Sequence, residues 1–301
     1  MLTILGPTAT GKTALAARLA YELNGEVISA DSRQVYRRMN IGTGKDYDDY
    51  VVDGAKIPYH LIDIVDPGYE YNIFEYQKDF LKVYHDIIQR KKLPVLCGGS
   101  GMYLEAVLKG YQLAKAESDD AFFASLKDKT DTELIEILKS FTTPHNITDF
   151  EDRPRILKAI RIVRASRGTK NELNHHFPQI RSTIIGIDYP RGLVKARITK
   201  RLEYRLEHGM ITEVEQLLAS GITPERLMKY GLEYKFVTLY LTGKISRADL
   251  LSELNIAIRQ FAKRQMTWFR RMEKQGLKIH WIDGRMPVEK KVNEIRTHFF
   301  I

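Results

Sequence analysis

The chain has little cysteine and no long hydrophobic run. One cysteine occurs among its 301 residues, so no disulfide can form within it. That cysteine lies in the apolar segment LPVLCGG, which favours a small buried hydrophobe at Cys97 over a reactive thiol. No apolar run approaches the ~20 residues that a membrane span needs, and the first residues do not resemble a signal peptide. We therefore expect a cytoplasmic protein with no membrane partner.

Acidic residues are too few to balance the charge of the second part of the chain. Residues 1–113 carry 13 Lys and Arg against 14 Asp and Glu, whereas residues 114–301 carry 34 against 24. The net charge of +9 therefore arises in the second part. This asymmetry favours a polyanionic partner, with nucleic acid ahead of a membrane surface, although a basic surface also serves solubility alone.

Short apolar segments alternate with helical periodicities through the first 113 residues. Helical periods follow the first strand, with Leu15, Leu19 and Leu23 on one stripe, and recur over 74–92 and after residue 99. The segments that indicate strands or extended chain are LTIL (2–5), EVISAD (26–31), PYHLIDIVDP (58–67) and LPVLCGG (93–99). The alternation predicts an α/β fold with a P-loop-type parallel sheet and flanking helices.

From about residue 114 the pattern changes to one helix after another. RSTIIGIDYPR (181–191) returns to a strand, 192–275 is helical, and LKIHWID (277–283) indicates a last strand. We therefore predict a discontinuous catalytic core of residues 1–113 and 181–301, interrupted by an all-helical insertion at 114–180. No apolar heptad pattern argues for a coiled-coil dimer, and we expect a monomer.

The segment 6-GPTATGKT-13 follows the first strand and opens a helix. In such a loop the backbone amides converge on an anion, and glycines allow its close approach. Lys12 supplies charge for the terminal phosphate oxygens, and the Thr13 hydroxyl suits a Mg²⁺ ion that bridges to them. The pattern indicates a diphosphate or triphosphate with Mg²⁺ but does not identify the acceptor. The residues predicted to bind it are Gly6, Pro7, Thr8, Ala9, Thr10, Gly11, Lys12 and Thr13.

Asp31 ends the second predicted strand. The carboxyl ends of parallel strands form the ligand edge of such a sheet, so a carboxylate here should lie near the phosphate loop. Three roles are open to it: a group beside Mg²⁺, a base for an incoming nucleophile, or the cap of a helix that begins at DSRQ.

Two runs in the second part concentrate basic residues. In 151–170 seven of them stand against two acids, and Arg155, Lys158 and Arg161 have helical spacing. Such a strip suits the phosphates of a folded RNA. In 257–271 arginines and lysines alternate with Phe261, Trp268 and Phe269, which either stack on an unpaired base or pack inward from an amphipathic helix.

Five segments together resemble the tRNA dimethylallyltransferases, and the resemblance runs from residue 2 to about 283. They are 6-GPTATGKT-13, 29-SADSRQVYRRMNIGTGK-45, 58-PYHLIDIVDP-67, 94-PVLCGGSGMYLEAVLKG-110 and 263-KRQMTWFRR-271. The resemblance implies that the loop holds dimethylallyl diphosphate rather than ATP. It also implies that the prenyl group passes to the N6 amine of the adenine 3′ of the anticodon, with release of diphosphate. The chain departs from the family at 229-KYGLEYK-235, where Leu232 follows Gly231.

The same resemblance implies roles for individual residues. Asp31 would take the N6 proton, while Lys12 and Thr13 with Mg²⁺ would neutralise the departing diphosphate. Arg197 and Arg201 correspond to arginines near that diphosphate, and the resemblance does not indicate which lies closer. The insertion would hold the anticodon stem-loop. The positions implied to contact tRNA are Asp31, Ser32, Arg33, Gln34, Ser100, Pro154, Arg155, Ile156, Leu157 and Lys158.

Three other functions remain open on the residues alone. The phosphate loop by itself also suits ATP-dependent phosphoryl transfer by a small-molecule kinase or NTPase. A prenyltransferase could instead act on a free adenine nucleotide, although so small an acceptor needs neither the insertion nor the basic surface. A non-catalytic RNA-binding module would not need Lys12, Thr13 and Asp31 together.

Overall fold

Parallel strands alternate with helices along the chain, as the sequence predicts. The computed structural model describes residues 1–113, 120–141, 153–157, 159–160 and 177–299. Its strands are β1 (Leu2–Leu5), β2 (Gly25–Ala30), β3 (Val51–Val52), β4 (Ala55–Lys56), β5 (Tyr59–His60), β6 (Leu93–Gly98), β7 (Thr183–Asp188) and β8 (Ile279–Asp283).

The helices fall between these strands and after the last one. They are α1 (Lys12–Glu22), α2 (Ile73–Gln89), α3 (Gly101–Leu108), α4 (Asp120–Ser125), α5 (Asp131–Phe141), α6 (Arg191–Glu207), α7 (Met210–Ala219), α8 (Pro224–Leu227), α9 (Leu232–Leu241), α10 (Arg247–Lys274) and α11 (Val288–Phe299). A 3₁₀ helix spans Tyr47–Tyr50, and residues 153–157 and 159–160 are also helical.

The chain divides into two compact units. One comprises Met1–Gly110 with Gln179–Ile301, and the other is Tyr111–Pro178. In the second unit, α4, α5 and the helical residues after 152 share an apolar cluster that includes Leu134, Leu138 and Ile160. None of the described helices is both long and apolar enough to cross a membrane.

The six-stranded sheet of the first unit has the order β5-β2-β6-β1-β7-β8, with every neighbouring pair parallel. Nearly every residue of its central strands is buried, so both faces of the sheet are covered, which explains the nearly continuous hydrophobic runs of these strands. In the register of the central strands, Gly98 lies opposite Leu5 on one side and Ala30 on the other. The residues that follow these three positions therefore leave the sheet together, and they begin the segments described below.

The predicted extended segment at 58–67 is interrupted after residue 60 and pairs again only at Val65, which forms an isolated parallel bridge with Tyr36. Tyr59 and His60 pair with β2, but Leu61 and Asp63 then adopt positive φ values of 61° and 55°. The bend brings the Asp63 carboxylate to 2.5 Å from the buried Lys45 ammonium and to 2.5 Å from the Tyr47 hydroxyl. These distant partners redirect the chain, and a hydrophobic pattern along 58–67 does not reveal them.

Cys97 is buried in β6, as expected. Burial raises the pKa of its thiol to about 12, so the neutral thiol packs as a small apolar group.

Candidate active site

The phosphate loop, residues 6–13, leaves the end of β1 and enters α1 at Lys12. Ala9 and Gly11 have positive φ values of 65° and 77°, and Gly11 occupies the N-cap position without a side chain to cap the helix. Backbone turns of this kind direct N–H groups into an anion-binding concavity at a helix N-terminus. Nothing lies within 4 Å of where a Cβ of Gly11 would stand, so conformation and not space requires the glycine.

Several polar atoms of the loop are already hydrogen-bonded inside the protein. Thr8 N donates to Oε1 of Gln265 at 2.8 Å, so the expectation that all the loop amides converge on one point is wrong for Thr8. Lys12 Nζ and the Thr10 hydroxyl both donate to the Pro7 carbonyl, at 2.7 and 2.8 Å. The Lys12 side chain therefore folds back over the phosphate loop, in which it is predicted to contact the phosphate oxygens.

Two arginines of α6 contact the loop. Arg197 Nε donates to the Ala9 carbonyl at 2.7 Å, and Arg201 donates to the Thr8 hydroxyl. Both predicted arginines are thus next to the loop, and each contacts a different residue of it. Burial is the main cause that lowers the pKa of Lys12 to about 8 and that of Arg201 to about 10. The charge of Arg201 contributes to the first shift, and the charges of Arg205 and Arg197 contribute to the second. Such crowding of positive groups at a helix N-terminus is stabilised by an anion.

Asp31 leaves the end of β2 beside this cationic group. Its carboxylate favours the charged form of Lys12, and its Oδ1 accepts a 2.8 Å hydrogen bond from Arg33 N. No helix begins here, since residues 32–35 form a turn, so the helix-cap alternative is wrong. Asp31 caps that turn with one oxygen, and its second oxygen accepts no hydrogen bond within the described part of the chain.

Ser100 follows the end of β6 and contacts the same turn. Its Oγ accepts from Ser32 N at 3.0 Å and lies 3.4 Å from the Ser32 hydroxyl, and its own amide donates to the Ala30 carbonyl. The structure therefore brings together Asp31, Ser32 and Ser100, three of the predicted acceptor-side residues.

Gln34 is committed to internal hydrogen bonds. Its Oε1 accepts from the Ser29 hydroxyl at 3.0 Å, and its Nε2 donates to the Gly44 carbonyl at 3.0 Å. A contact between this side chain and RNA would have to replace one of these bonds. Arg33, one residue earlier in the turn, is half-buried.

Sequence reasoning missed two charged groups next to Arg201. Arg205 is buried and pairs with Asp46 at 2.9 Å. Glu233, in the segment that departs from the family, lines one cleft with Arg201 and Arg205, and burial raises the pKa of its carboxyl. The spacing of four residues between successive arginines along 197-RITKRLEYR-205 was a visible signal for Arg205, whereas nothing in the sequence placed Glu233 beside it.

The first turn of α1 offers oxygen ligands that fit Mg²⁺. The Thr13 hydroxyl is half-buried and makes no hydrogen bond with the rest of the described chain. Asp49, on the 3₁₀ helix, accepts from Ala14 N, and burial raises the pKa of its carboxyl to about 6. The described residues contain no group of three or more His, Cys, Asp or Glu that could hold a metal on its own. Mg²⁺ commonly takes one or two protein oxygens and completes its shell with substrate phosphates and water, so these residues fit that ion.

The aromatic residues of 257–271 differ in their exposure to solvent. Phe269 is fully buried, which confirms the inward alternative for it. Trp268 is half-buried against Gly101, and the Arg271 guanidinium lies 4.0 Å from its ring centroid. Phe261 is 38% exposed with Arg264 5.9 Å from its ring, so base stacking stays a prediction for this residue.

The predicted tRNA contacts of the second unit are mixed in exposure. Pro154 and Arg155 are exposed and Leu157 is half-buried, but the Ile156 side chain belongs to the apolar cluster of that unit. Lys158, like the basic residues from Arg161 to Lys170, lies outside the described residues. Arg153 contributes to structure, because its guanidinium donates to the carbonyls of Leu126, Lys127 and Lys129.

Known proteins match this chain over most of its length. A model of the IPP transferase family matches residues 34–272, and an isopentenyl transferase model matches residues 1–64. A protein of Phocaeicola vulgatus named tRNA dimethylallyltransferase 2 is 55% identical over 295 residues, covering 98% of this chain and 96% of that protein.

Two solved structures also match nearly the whole chain. The crystal structure of a tRNA delta(2)-isopentenylpyrophosphate transferase from Staphylococcus epidermidis is 31% identical with a TM-score of 0.69, covering 98% of this chain and 97% of that one. The full-length tRNA isopentenylpyrophosphate transferase of Bacillus halodurans is 30% identical with a TM-score of 0.70, covering 98% of this chain and 94% of that one.

Proposed function

Because the chain belongs to the IPP transferase family, we propose that it transfers a dimethylallyl group from dimethylallyl diphosphate to tRNA. The acceptor atom is the N6 amine of the adenine immediately 3′ of the anticodon, and diphosphate is the second product. One observation supports this assignment above the others: the phosphate loop, the Asp31 turn and Ser100 follow three strand ends that lie side by side. A cradle for the leaving group therefore adjoins a carboxylate that can receive a proton.

The donor side favours departure of diphosphate. Lys12, Arg197 and Arg201 surround the loop, and their positive charges offset the charge that develops on the leaving oxygen as the allylic carbon–oxygen bond breaks. Thr13 would hold Mg²⁺, which supplies further charge neutralisation when it is bound. This arrangement is suited to a reaction in which the diphosphate itself leaves. In such a reaction no phosphoryl group is transferred, so the site needs no acceptor for one.

The acceptor side assists a weak nucleophile. The N6 lone pair is delocalised into the adenine ring, so attack on carbon is easier when a base removes the N6 proton. The Asp31 carboxylate is that base, and the oxygen that does not accept from the Arg33 amide is available to receive the proton. As the new carbon–nitrogen bond forms, the N6 proton passes to the Asp31 carboxylate and the electron pair of the broken bond leaves with diphosphate. The adenine must leave its stack to reach this position.

The second unit gives a reason to prefer tRNA over a free nucleotide. Arg155 is exposed on it and lies in the basic run 151–170. Phosphate contacts from such a surface position an RNA without reading its sequence. We assign the anticodon stem as the ligand of this surface.

The test uses the full chain with Mg²⁺, dimethylallyl diphosphate and an unmodified anticodon stem-loop, followed by mass spectrometry of the RNA. The expected result is the gain of one prenyl group, and the matched RNA with guanine in place of that adenine should gain none. A parallel reaction with ATP and adenine nucleotides covers the rival functions. A stem-loop that gains no prenyl group, together with prenylation of a free nucleotide or consumption of ATP, would contradict the proposal.

A further inference from the structure

The side chain of Gln265 lies between the phosphate loop and the turn that follows β6. It is 7% exposed and occupies the buried stripe of α10 together with Ile258, Ala262 and Phe269. Its Oε1 accepts from Thr8 N at 2.8 Å, and its Nε2 donates to the Gly99 carbonyl at 2.8 Å. A buried carboxamide costs free energy unless both of its ends are satisfied, and here each end has a partner on a different segment of the site.

The close approach of Gln265 depends on glycine at position 99. A Cβ on Gly99 would stand 2.5 Å from Gln265 Nε2, closer than such atoms pack. The carboxamide is planar and wedged between two backbone segments, so a displacement at its oxygen end must also move its nitrogen end. Gln265 thus links Thr8 and Gly99 with little freedom.

The link continues to the acceptor side of the site. Ser100 follows Gly99 directly, and its Oγ accepts from Ser32 N at 3.0 Å, next to Asp31. Three hydrogen bonds and the Gly99–Ser100 peptide bond therefore connect the phosphate loop to the turn that carries the base. The residues of this connection, in order, are Thr8, Gln265, Gly99, Ser100 and Ser32.

We propose that Gln265 is a positioning residue that couples the diphosphate site to the RNA site, an inference that rests on the proposed function. An anion in the loop competes with Gln265 Oε1 for the Thr8 amide. When the amide turns toward the anion, the carboxamide shifts, and the Gly99–Ser100 turn and its contact with Ser32 shift with it. Binding at one site then changes the affinity at the other, and the change is equal in both directions.

The experiment measures affinity for the unmodified stem-loop in Mg²⁺, with and without saturating inorganic diphosphate. We expect diphosphate to change the RNA dissociation constant of the wild-type protein by about fivefold or more. Gln265→Met keeps the side-chain volume but removes both hydrogen bonds, so the effect of diphosphate should shrink to less than about twofold. Gln260→Met is the matched control, because Gln260 lies exposed on the same helix, and it should keep the wild-type effect.

A second variant covers the case in which Gln265→Met does not fold. Gln265→Glu retains an acceptor for Thr8 N but offers no donor to the Gly99 carbonyl, so it should also lose the coupling. Wild-type protein that prenylates the stem-loop but binds it equally with and without diphosphate would overturn this inference alone. Full coupling in a folded Gln265 variant would overturn it too. Absence of prenyl transfer by the wild-type protein would instead overturn the proposed function.

Discussion

The ammonium group of Lys12 donates a 2.7 Å hydrogen bond to the carbonyl oxygen of Pro7, five residues earlier in the same loop. Burial lowers the pKa of this amine to about 8. A bound diphosphate favours the charged amine, so its affinity should be greatest below that pKa and should fall as the pH rises through it. The expected loss approaches tenfold per pH unit above about 8, measured by calorimetric titration with inorganic diphosphate and Mg²⁺.

Lys12→Arg provides the control for this pH dependence. A guanidinium stays protonated throughout the range, so the decline of affinity between about pH 7.5 and 9.5 should flatten in the variant. An equally steep decline in both proteins would assign the effect to the protons of diphosphate and not to Lys12.

Glu213 should be important for stability. Its carboxylate accepts hydrogen bonds from the amides of Asn40, Ile41 and Gly42 and from the Tyr234 hydroxyl, at 2.6 to 3.1 Å. Glu213→Ala removes the acceptor from all four donors, and we expect the free energy of unfolding in urea to drop by about 2 to 4 kcal/mol. Glu215→Ala, at an exposed position of the same helix, should change it by less than about 0.5 kcal/mol. Equal effects of the two substitutions would contradict the structural role of Glu213.

Arg155 should contribute to RNA affinity through charge alone. If it contacts a phosphate, Arg155→Ala should weaken binding of all stem-loops alike and reduce the slope of log affinity against log salt by about one. The measurement is a filter-binding titration at several salt concentrations. Arg153→Ala is a useful comparison, because Arg153 holds three backbone carbonyls and its loss should reduce stability. An unchanged salt slope in Arg155→Ala would remove this residue from the RNA surface.

The sequence was sufficient to predict the strands that build the site. The apolar runs of β1, β2 and β6 have lengths typical of buried parallel strands, and each run ends at a glycine or an acidic residue that marks the ligand edge. These strand ends therefore locate the phosphate loop and Asp31, whereas only the resemblance to the family implies a role for Ser100. The hydrogen bonds of these residues were not predicted, because local patterns determine where a strand ends and do not specify which distant side chain meets it.

Gln265 shows the limit of sequence reasoning most clearly. It lies 257 residues from Thr8 and 166 from Gly99, so no local spacing relates it to either partner. The sequence shows it as a polar residue on an otherwise apolar helical stripe and as part of the family segment 263-KRQMTWFRR-271, and neither signal identifies its partners. The bend at Leu61 and Asp63 was missed for the same reason, since the partners that fix it, Lys45 and Tyr47, belong to another segment.

The central claim is that Asp31 accepts the N6 proton beside a diphosphate cradle. Asp31→Asn preserves the oxygen that accepts from Arg33 N and therefore the turn, but it removes the basic carboxylate. Asp86→Asn, at an exposed position at the end of α2, is the matched control.

The decisive measurement is the single-turnover rate of prenyl transfer to the stem-loop, with RNA affinity measured in parallel. We predict that Asp31→Asn lowers the rate by about 10²- to 10⁴-fold and leaves RNA affinity within about threefold of wild type, while Asp86→Asn changes neither. A near wild-type rate in Asp31→Asn, or a loss confined to RNA affinity, would contradict the assignment of Asp31 as the base.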